Sequence, residues 1–177
     1  FGAVSPEEIE ILGKTCHRIY FYDFILSKGE DLDSLVRRVR MTREKHGYSK
    51  AKWIILDAKY GVREELGGKT WEDELRKRGL GYIKLSQSKP GDVELGHKIV
   101  REYLGMHHST LLDKTKPGVM FAKNNCSGKD SPIQQMFNYQ YHPEKDKVME
   151  DSKDFPDIVR YICMERPSYI APEEETA

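Results

Sequence analysis

Trp53-Ile54-Ile55-Leu56-Asp57-Ala58-Lys59-Tyr60-Gly61 is the stretch on which the reading of this chain turns. Four apolar residues run without alternation, as in a strand covered on both faces at the centre of a sheet, and the run stops on a carboxylate. Far downstream, Asp154-Phe155-Pro156-Asp157 opens the amphipathic segment Ile158-Val159-Arg160-Tyr161-Ile162-Cys163. Acids at the carboxyl end of a buried strand and on the first turn of a late helix can converge on one cleft. Hard divalent ions such as Mg²⁺ and Mn²⁺ favour such oxygen ligands and keep several waters, so few protein ligands are needed. Asp154 and Asp157, three apart, share a helix face. In a two-metal site, with ions about 4 Å apart, one ion lowers the pKa of an attacking water and the other stabilises the leaving oxygen. Local chemistry is served equally by Asp154 as an N-cap, by Asp157 as a favourable charge at the positive end of the helix, and by Asp57 as the start of a turn before Gly61.

Outward from these sites, Ile9 to Thr15 and Ile19 to Leu26 read as consecutive antiparallel strands separated by the polar Cys16-His17-Arg18. Leu32, Leu35, Val36 and Val39 recur at helical spacing, with Asp31 or Asp33 as N-cap and Gly47 as the stop. Thr70 begins a second helix, with Asp73 in the N3 position of a capping box and Gly79 past its end. Tyr82 to Leu85 resumes as a strand. Asp92 to Leu104 reads as a third helix with Leu95, Ile99, Val100, Tyr103 and Leu104 on one side, despite Gly96. Val119 to Ala122 is a short strand, Ser131-Pro132 caps a helix through about Asn138, and Asp154 to Met164 is the last helix. His107-His108 falls on a loop, where adjacent side chains point apart, and no acid or Cys stands at ligand spacing. Phe137, Tyr139 and Tyr141 alternate as a strand would. The order predicts a mixed α/β domain, antiparallel strands first and crossover helices later.

The 177 residues, 38% hydrophobic and 33% charged, fit one globular domain over residues 1–166. The residues after Pro167 end in Glu173-Glu174-Glu175 and are expected to be a disordered acidic tail. No apolar run approaches the roughly 20 residues that cross a bilayer, and Phe1-Gly2-Ala3-Val4 carries no basic leader, so a soluble fragment is expected. Cys16, Cys126 and Cys163 are widely spaced, which suggests neither a disulfide framework nor a zinc knuckle and points to a reducing, cytoplasmic setting. With 29 basic and 29 acidic residues there is no global polycation, so any nucleic-acid surface must be a local patch. Arg37, Arg38, Arg40, Arg43 and Lys45 lie largely off the apolar stripe of the first helix. They, with Lys84, Lys89, Lys98 and Arg101, are the candidate phosphate contacts, against the plainer reading of a solvated surface.

At these residues the chain resembles the C-terminal nuclease domain of large terminase subunits, the DNA-packaging motors of tailed bacteriophages and herpesviruses. The resemblance rests on Trp53-Ile54-Ile55-Leu56-Asp57-Ala58-Lys59-Tyr60-Gly61 and on Asp154-Phe155-Pro156-Asp157-Ile158-Val159-Arg160-Tyr161. Ile19-Tyr20-Phe21-Tyr22-Asp23 before them, and Trp71-Glu72-Asp73-Glu74-Leu75-Arg76 and Gly118-Val119-Met120-Phe121 between them, follow in the family's order, so that the likeness covers nearly the whole chain. It implies a ribonuclease H-like fold, flanked by helices, that cleaves concatemeric double-stranded viral DNA at the start and end of packaging with two Mg²⁺ or Mn²⁺ ions. Asp57 matches the family's second metal carboxylate and Asp157 its third, while Asp154 falls where some members have a further ligand. The family's first metal Asp lies on a strand just before the one that Phe1-Gly2-Ala3-Val4 resembles, which implies an incomplete site in this fragment. Asp23 matches an acidic position that is not a ligand. The implied partners are DNA, the ATPase domain of the same subunit, the portal and the small terminase subunit, in the host cell cytoplasm. No GxxxxGK[ST] loop occurs in the chain.

Two other readings stand beside this one. Asp57-Ala58-Lys59 has the acid-x-Lys form of restriction-endonuclease-like folds, with Asp23 as partner, although a helix intervenes. The acids are alternatively caps in a non-catalytic docking module of a packaging complex.

Overall fold

The computed structural model describes residues 1–27, 29–47, 54–58, 68–86, 92–109, 114–139 and 153–171. In chain order its elements begin with β1 (Gly2–Ile11), β2 (Lys14–Phe21), α1 (Leu32–Lys45), β3 (Ile54–Leu56), α2 (Trp71–Lys77) and β4 (Ile83–Leu85). There follow α3 (Asp92–Leu104), β5 (Met106–Ser109), β6 (Lys114–Pro117), β7 (Val119–Phe121), α4 (Lys123–Cys126), α5 (Pro132–Asn138) and α6 (Asp154–Glu165). The class is mixed α/β. Its contacts gather into two compact units, Phe1–Phe24 with Gly91–Ala177, and Ile25–Pro90.

The larger unit is built on β2, which pairs antiparallel with β1 on one side and parallel with β7 on the other. The hairpin turns at Leu12-Gly13, not at Cys16-His17-Arg18 as the polarity suggests. Both turn residues have positive φ, 50° and 71°, as a two-residue turn matched to strand twist demands. The expected strand Ile9 to Thr15 therefore straddles the turn, and Cys16 to Arg18 lie inside β2. Opposite Arg18 the register slips, so that Ser5, Pro6 and Glu7 bulge between the Val4–Ile19 and Glu8–His17 pairs. Pro6, which has no N–H to give a ladder, is tolerated in such a bulge. Ile9, Ile11, Cys16, Ile19, Phe21 and Val119 of the sheet pack with Ile99 and Tyr103 of α3 and with Phe155, Val159 and Cys163 of α6.

Other expectations in this unit are corrected. Met106–Ser109, containing His107-His108, is a strand paired with Lys114–Pro117 rather than a loop. Phe137 lies on α5, 85% exposed, and Tyr139 is that helix's C-cap, so their spacing is not that of a strand; Tyr141 falls outside the described residues. Leu95 and Leu104 of α3 are 50% and 42% exposed, leaving Gly96, Ile99 and Tyr103 as its buried face. Ser131 caps α5, its hydroxyl accepting from the N–H of Gln134 at 3.3 Å, with Pro132 in the first turn as expected. Pro167 is buried, and the Tyr169 ring lies 6.5 Å from that of His17.

In the smaller unit Ile54–Leu56 and Ile83–Leu85 pair in parallel, with α2 in the connection between them. The β3 residues are half-buried, not covered on both faces as the apolar run implies. Asp31 caps α1, accepting from the N–H of Ser34 at 2.9 Å, and Thr70 and Asp73 form the reciprocal capping box of α2. Val36, Leu75, Leu80 and Ile83 make a small core of their own. Among the described residues no helix is long and apolar enough to cross a membrane.

Candidate functional site

Asp57 stands immediately past the carboxyl end of β3, half-buried. Backbone bonds fix this end of the parallel pair: the Ser86 N–H donates to the Leu56 carbonyl at 2.7 Å, and the Ala58 N–H donates to the Ser86 hydroxyl at 3.1 Å. Asp57 is thus held between two tethered residues at the strand edge where open α/β sheets place their ligands. Lys59, the third member of the acid-x-Lys alternative, lies outside the described residues. Asp23 belongs to the larger unit, past the end of β2, and its carboxylate accepts from the Phe24 N–H at 2.8 Å.

Asp154 and Asp157 occupy the first turn of α6. The N-cap is Lys153, which makes no side-chain capping bond, so Asp154 is the first helical residue instead of the expected cap. Its side chain is exposed. Asp157 is bound to a neighbour that sequence reasoning missed: Arg160 donates to its Oδ1 from Nη2 at 2.9 Å and from Nε at 3.3 Å. The Arg160 side chain is only 6% exposed against 29% for Asp157, so the guanidinium lies inward and the carboxylate faces out. It stacks over the Tyr161 ring at 4.6 Å, and its stem crosses α3 at Gly96. A Cβ on residue 96 would fall 2.7 Å from Arg160 Cγ and Cδ. The next residue of α3, His97, shares a 2.6 Å hydrogen bond with the Tyr139 hydroxyl. Burial holds the His97 imidazole below its usual range, and the positive charges of Arg160 and Arg101 push the same way against Asp157.

The basic candidates divide by what they touch. Arg40 donates to the carbonyl of Arg78 and so ties α1 to the end of α2. Arg78 in turn pairs with Asp33 at 2.5 Å and with Glu74. Asp33, Val36, Arg37, Arg40 and Arg78 line a shallow depression of about 290 Å³. Arg38 is paired with Glu30 at 2.5 Å. Lys84 is exposed on β4, Lys98 and Arg101 are exposed on α3, and Lys89 lies outside the described residues.

Asp57 belongs to one compact unit and Asp154 and Asp157 to the other. Among the described residues no group of three or more His, Cys, Asp or Glu side chains is placed to hold a metal ion. The donors are right in kind for a hard divalent cation: both Arg160 bonds fall on Oδ1 of Asp157, which leaves Oδ2 of an outward-facing carboxylate for another partner. No family model, curated protein or solved structure matches this chain.

Proposed function

We propose that the chain is a divalent-metal-dependent DNA endonuclease of ribonuclease H-like type, the nuclease domain of a viral packaging motor of the large terminase kind. The observation that carries the reading is the position of Asp57, tethered at the carboxyl end of a parallel strand pair. The outward carboxylate of Asp157 on the first turn of α6 supports it. In this reading Asp57 and Asp157 are metal carboxylates, with Asp154 as a further ligand. Two Mg²⁺ or Mn²⁺ ions supply an activated water and stabilise the leaving 3′ oxygen, so that water adds to phosphorus as the P–O3′ bond breaks. The carboxylates hold and orient; no His or Lys is required. Lys98 and Arg101, exposed on α3 beside the α6 contact, neutralise backbone phosphates of double-stranded DNA. The ATPase domain of the same subunit, the portal and the small terminase subunit are the partners in this assignment, in the host cytoplasm.

Supercoiled plasmid incubated with this chain, and with a form extended at its N-terminus, tests the proposal. Nicking in Mn²⁺ that disappears with chelator and in Asp57→Asn or Asp157→Asn is the expected result. Inertness of both forms, or nicking that survives Asp57→Asn, overturns it, and the first outcome favours a docking module. Loss of nicking in Lys59→Ala as complete as in Asp57→Asn favours the acid-x-Lys scheme.

A further inference from the structure

We propose that Ile25–Pro90 is a basic unit that seats the phosphate backbone of duplex nucleic acid on α1, through Arg37 and Arg40 at the depression they share with Arg78. The inference does not rest on the metal carboxylates. The chain is neutral as a whole, yet its charge is divided between the two compact units: Ile25–Pro90 holds 16 basic and 10 acidic residues, and the remainder of the chain 13 and 19. Such asymmetry within one chain is the compositional mark of a part that meets a polyanion. Most of the described acids of the small unit are also engaged internally. Glu30 pairs with Arg38, Asp33 with Arg78, Glu72 with Arg76, and Glu74 with Arg78 and Lys69, while Asp31 and Asp73 serve as caps. On α1 Glu44 is the one acid outside such bonds among the described residues. Arg37 and Arg40 stand outside these pairs as well.

Arg37 and Arg40 are three apart and both exposed, so they share one flank of α1. With Asp33, Val36 and Arg78 they line the depression of about 290 Å³. Arg40 is steadied there: its Nη2 donates to the Arg78 carbonyl at the end of α2, and a Cβ on Gly79 would fall 3.2 Å from that nitrogen. That bond leaves most of the five guanidinium N–H donors unused. Arg37 makes no hydrogen bond or ion pair among the described residues. Three guanidiniums thus surround a hollow whose lining carboxylate, Asp33, is already taken by Arg78. A guanidinium presents a planar fork matched to phosphate oxygens. Val36, 4% exposed, is the only apolar residue among the described ones that line the hollow. It therefore lacks the aromatic or aliphatic anchors on which the binding of a protein partner concentrates, a second copy of this chain included. A duplex presents one negative charge per about 1.7 Å of its axis and binds without such anchors.

The test is fluorescence anisotropy of a short labelled DNA duplex with the whole chain, in chelator and across a salt series, with a thermal melt of each variant. Arg37→Gln should lower the slope of log affinity against log salt by about 1, and Arg37→Gln combined with Arg40→Gln by about 2. Arg38→Gln is the control. It removes the same charge from the same helix, but Arg38 is paired with Glu30 and does not line the depression, so the slope should keep the parent's value. If the double variant does not fold, Arg37→Gln alone decides. An unchanged slope in Arg37→Gln, or an equal fall in Arg38→Gln, overturns the inference. So does a parent that fails to bind the duplex at low salt; a low-salt dimer that Arg37→Glu dissolves would then make the acidic unit of a second copy the occupant. Cleavage is silent in chelator, so the nuclease reading can fail in its plasmid assay while this inference holds, and the reverse.

Discussion

Replacing Arg18 by Met should open the larger unit far more often than any surface change. Arg18 is fully buried in β2, and Glu7, its partner from the bulge of β1, is 5% exposed. Its guanidinium donates to Glu7 at 2.6 Å, to the carbonyls of Lys116 and Pro117 at 2.6 and 2.5 Å, and to that of His107 at 2.7 Å. Arg18→Met leaves the Glu7 carboxylate buried without its cation and three carbonyls without their donor. Removing one partner of a buried pair costs about 3–5 kcal/mol. At about 1.4 kcal/mol per tenfold, the open population rises roughly a hundred- to several-thousand-fold. The three cysteines report it directly. Cys16, Cys126 and Cys163 are all buried and all in this unit, so an aromatic disulfide labels them only when it opens. With the reagent limiting, labelling rate follows the open population. Glu7→Gln combined with Arg18→Met should recover part of the loss, since no uncompensated charge remains. Labelling of Arg18→Met within threefold of the parent, or a double variant no slower than the single one, would refute the reasoning.

Gly96→Ala gains helix propensity of about 1 kcal/mol but pushes a Cβ into Arg160 and to 2.9 Å from Met164 Sδ. Overpacking of about 1–3 kcal/mol should win, giving a net loss in urea unfolding; a gain in stability would show that the stem moves freely. Glu7 is pushed up by burial, but its bonds from Arg18 and Tyr20 outweigh that and hold its carboxyl below the ordinary value. The unfolded chain then takes up the proton first, so this stabilisation is complete above the ordinary carboxyl range and fades as pH falls through the folded value. Urea midpoints from neutral to acid pH should accordingly slope less in Glu7→Gln than in the parent. Thr70→Val removes the hydroxyl half of the capping box on α2, keeping the backbone N–H that donates to Asp73, and should cost about 1 kcal/mol, visible as faster amide exchange at Asp73. If Lys98 and Arg101 contact phosphates, replacing both with Gln should lower the slope of log affinity for duplex DNA against log salt by about 2; an unchanged slope places the contact elsewhere.

Local signals were the legible part. Asp31, Thr70 with Asp73, and Ser131-Pro132 announce helices α1, α2 and α5 because a cap satisfies orphan amides within one turn of itself. The bounds of α3, Asp92–Leu104, follow from periodicity alone. The opening hairpin was hard to read at its turn, since nothing in Leu12 betrays a left-handed backbone; Gly13-Lys14, which breaks the apolar run, is the one local signal of it. Arg18 looks like a polar break between strands, and what allows its burial comes from the bulge at Glu7 and from carbonyls near residues 107 and 117. The strands β5 and β6 are short and polar, with no alternation to mark them. Asp57 and Asp157 stood out as acids next to apolar runs. Arg160 did not, although it follows Asp157 at helical spacing, because its depth is set by the missing side chain of Gly96 on another helix.

The parallel partner of β2 arrives late in synthesis. Ile19 pairs with Val119, whereas Ile54 pairs with Ile83, and the longer chain closure costs about 1 kcal/mol more entropy. On a ribosome, Ile25–Pro90 can have its own core complete while the β7 side of β2 is still bare. Until Val119–Phe121 emerges, that edge is a place where a second nascent chain can dock.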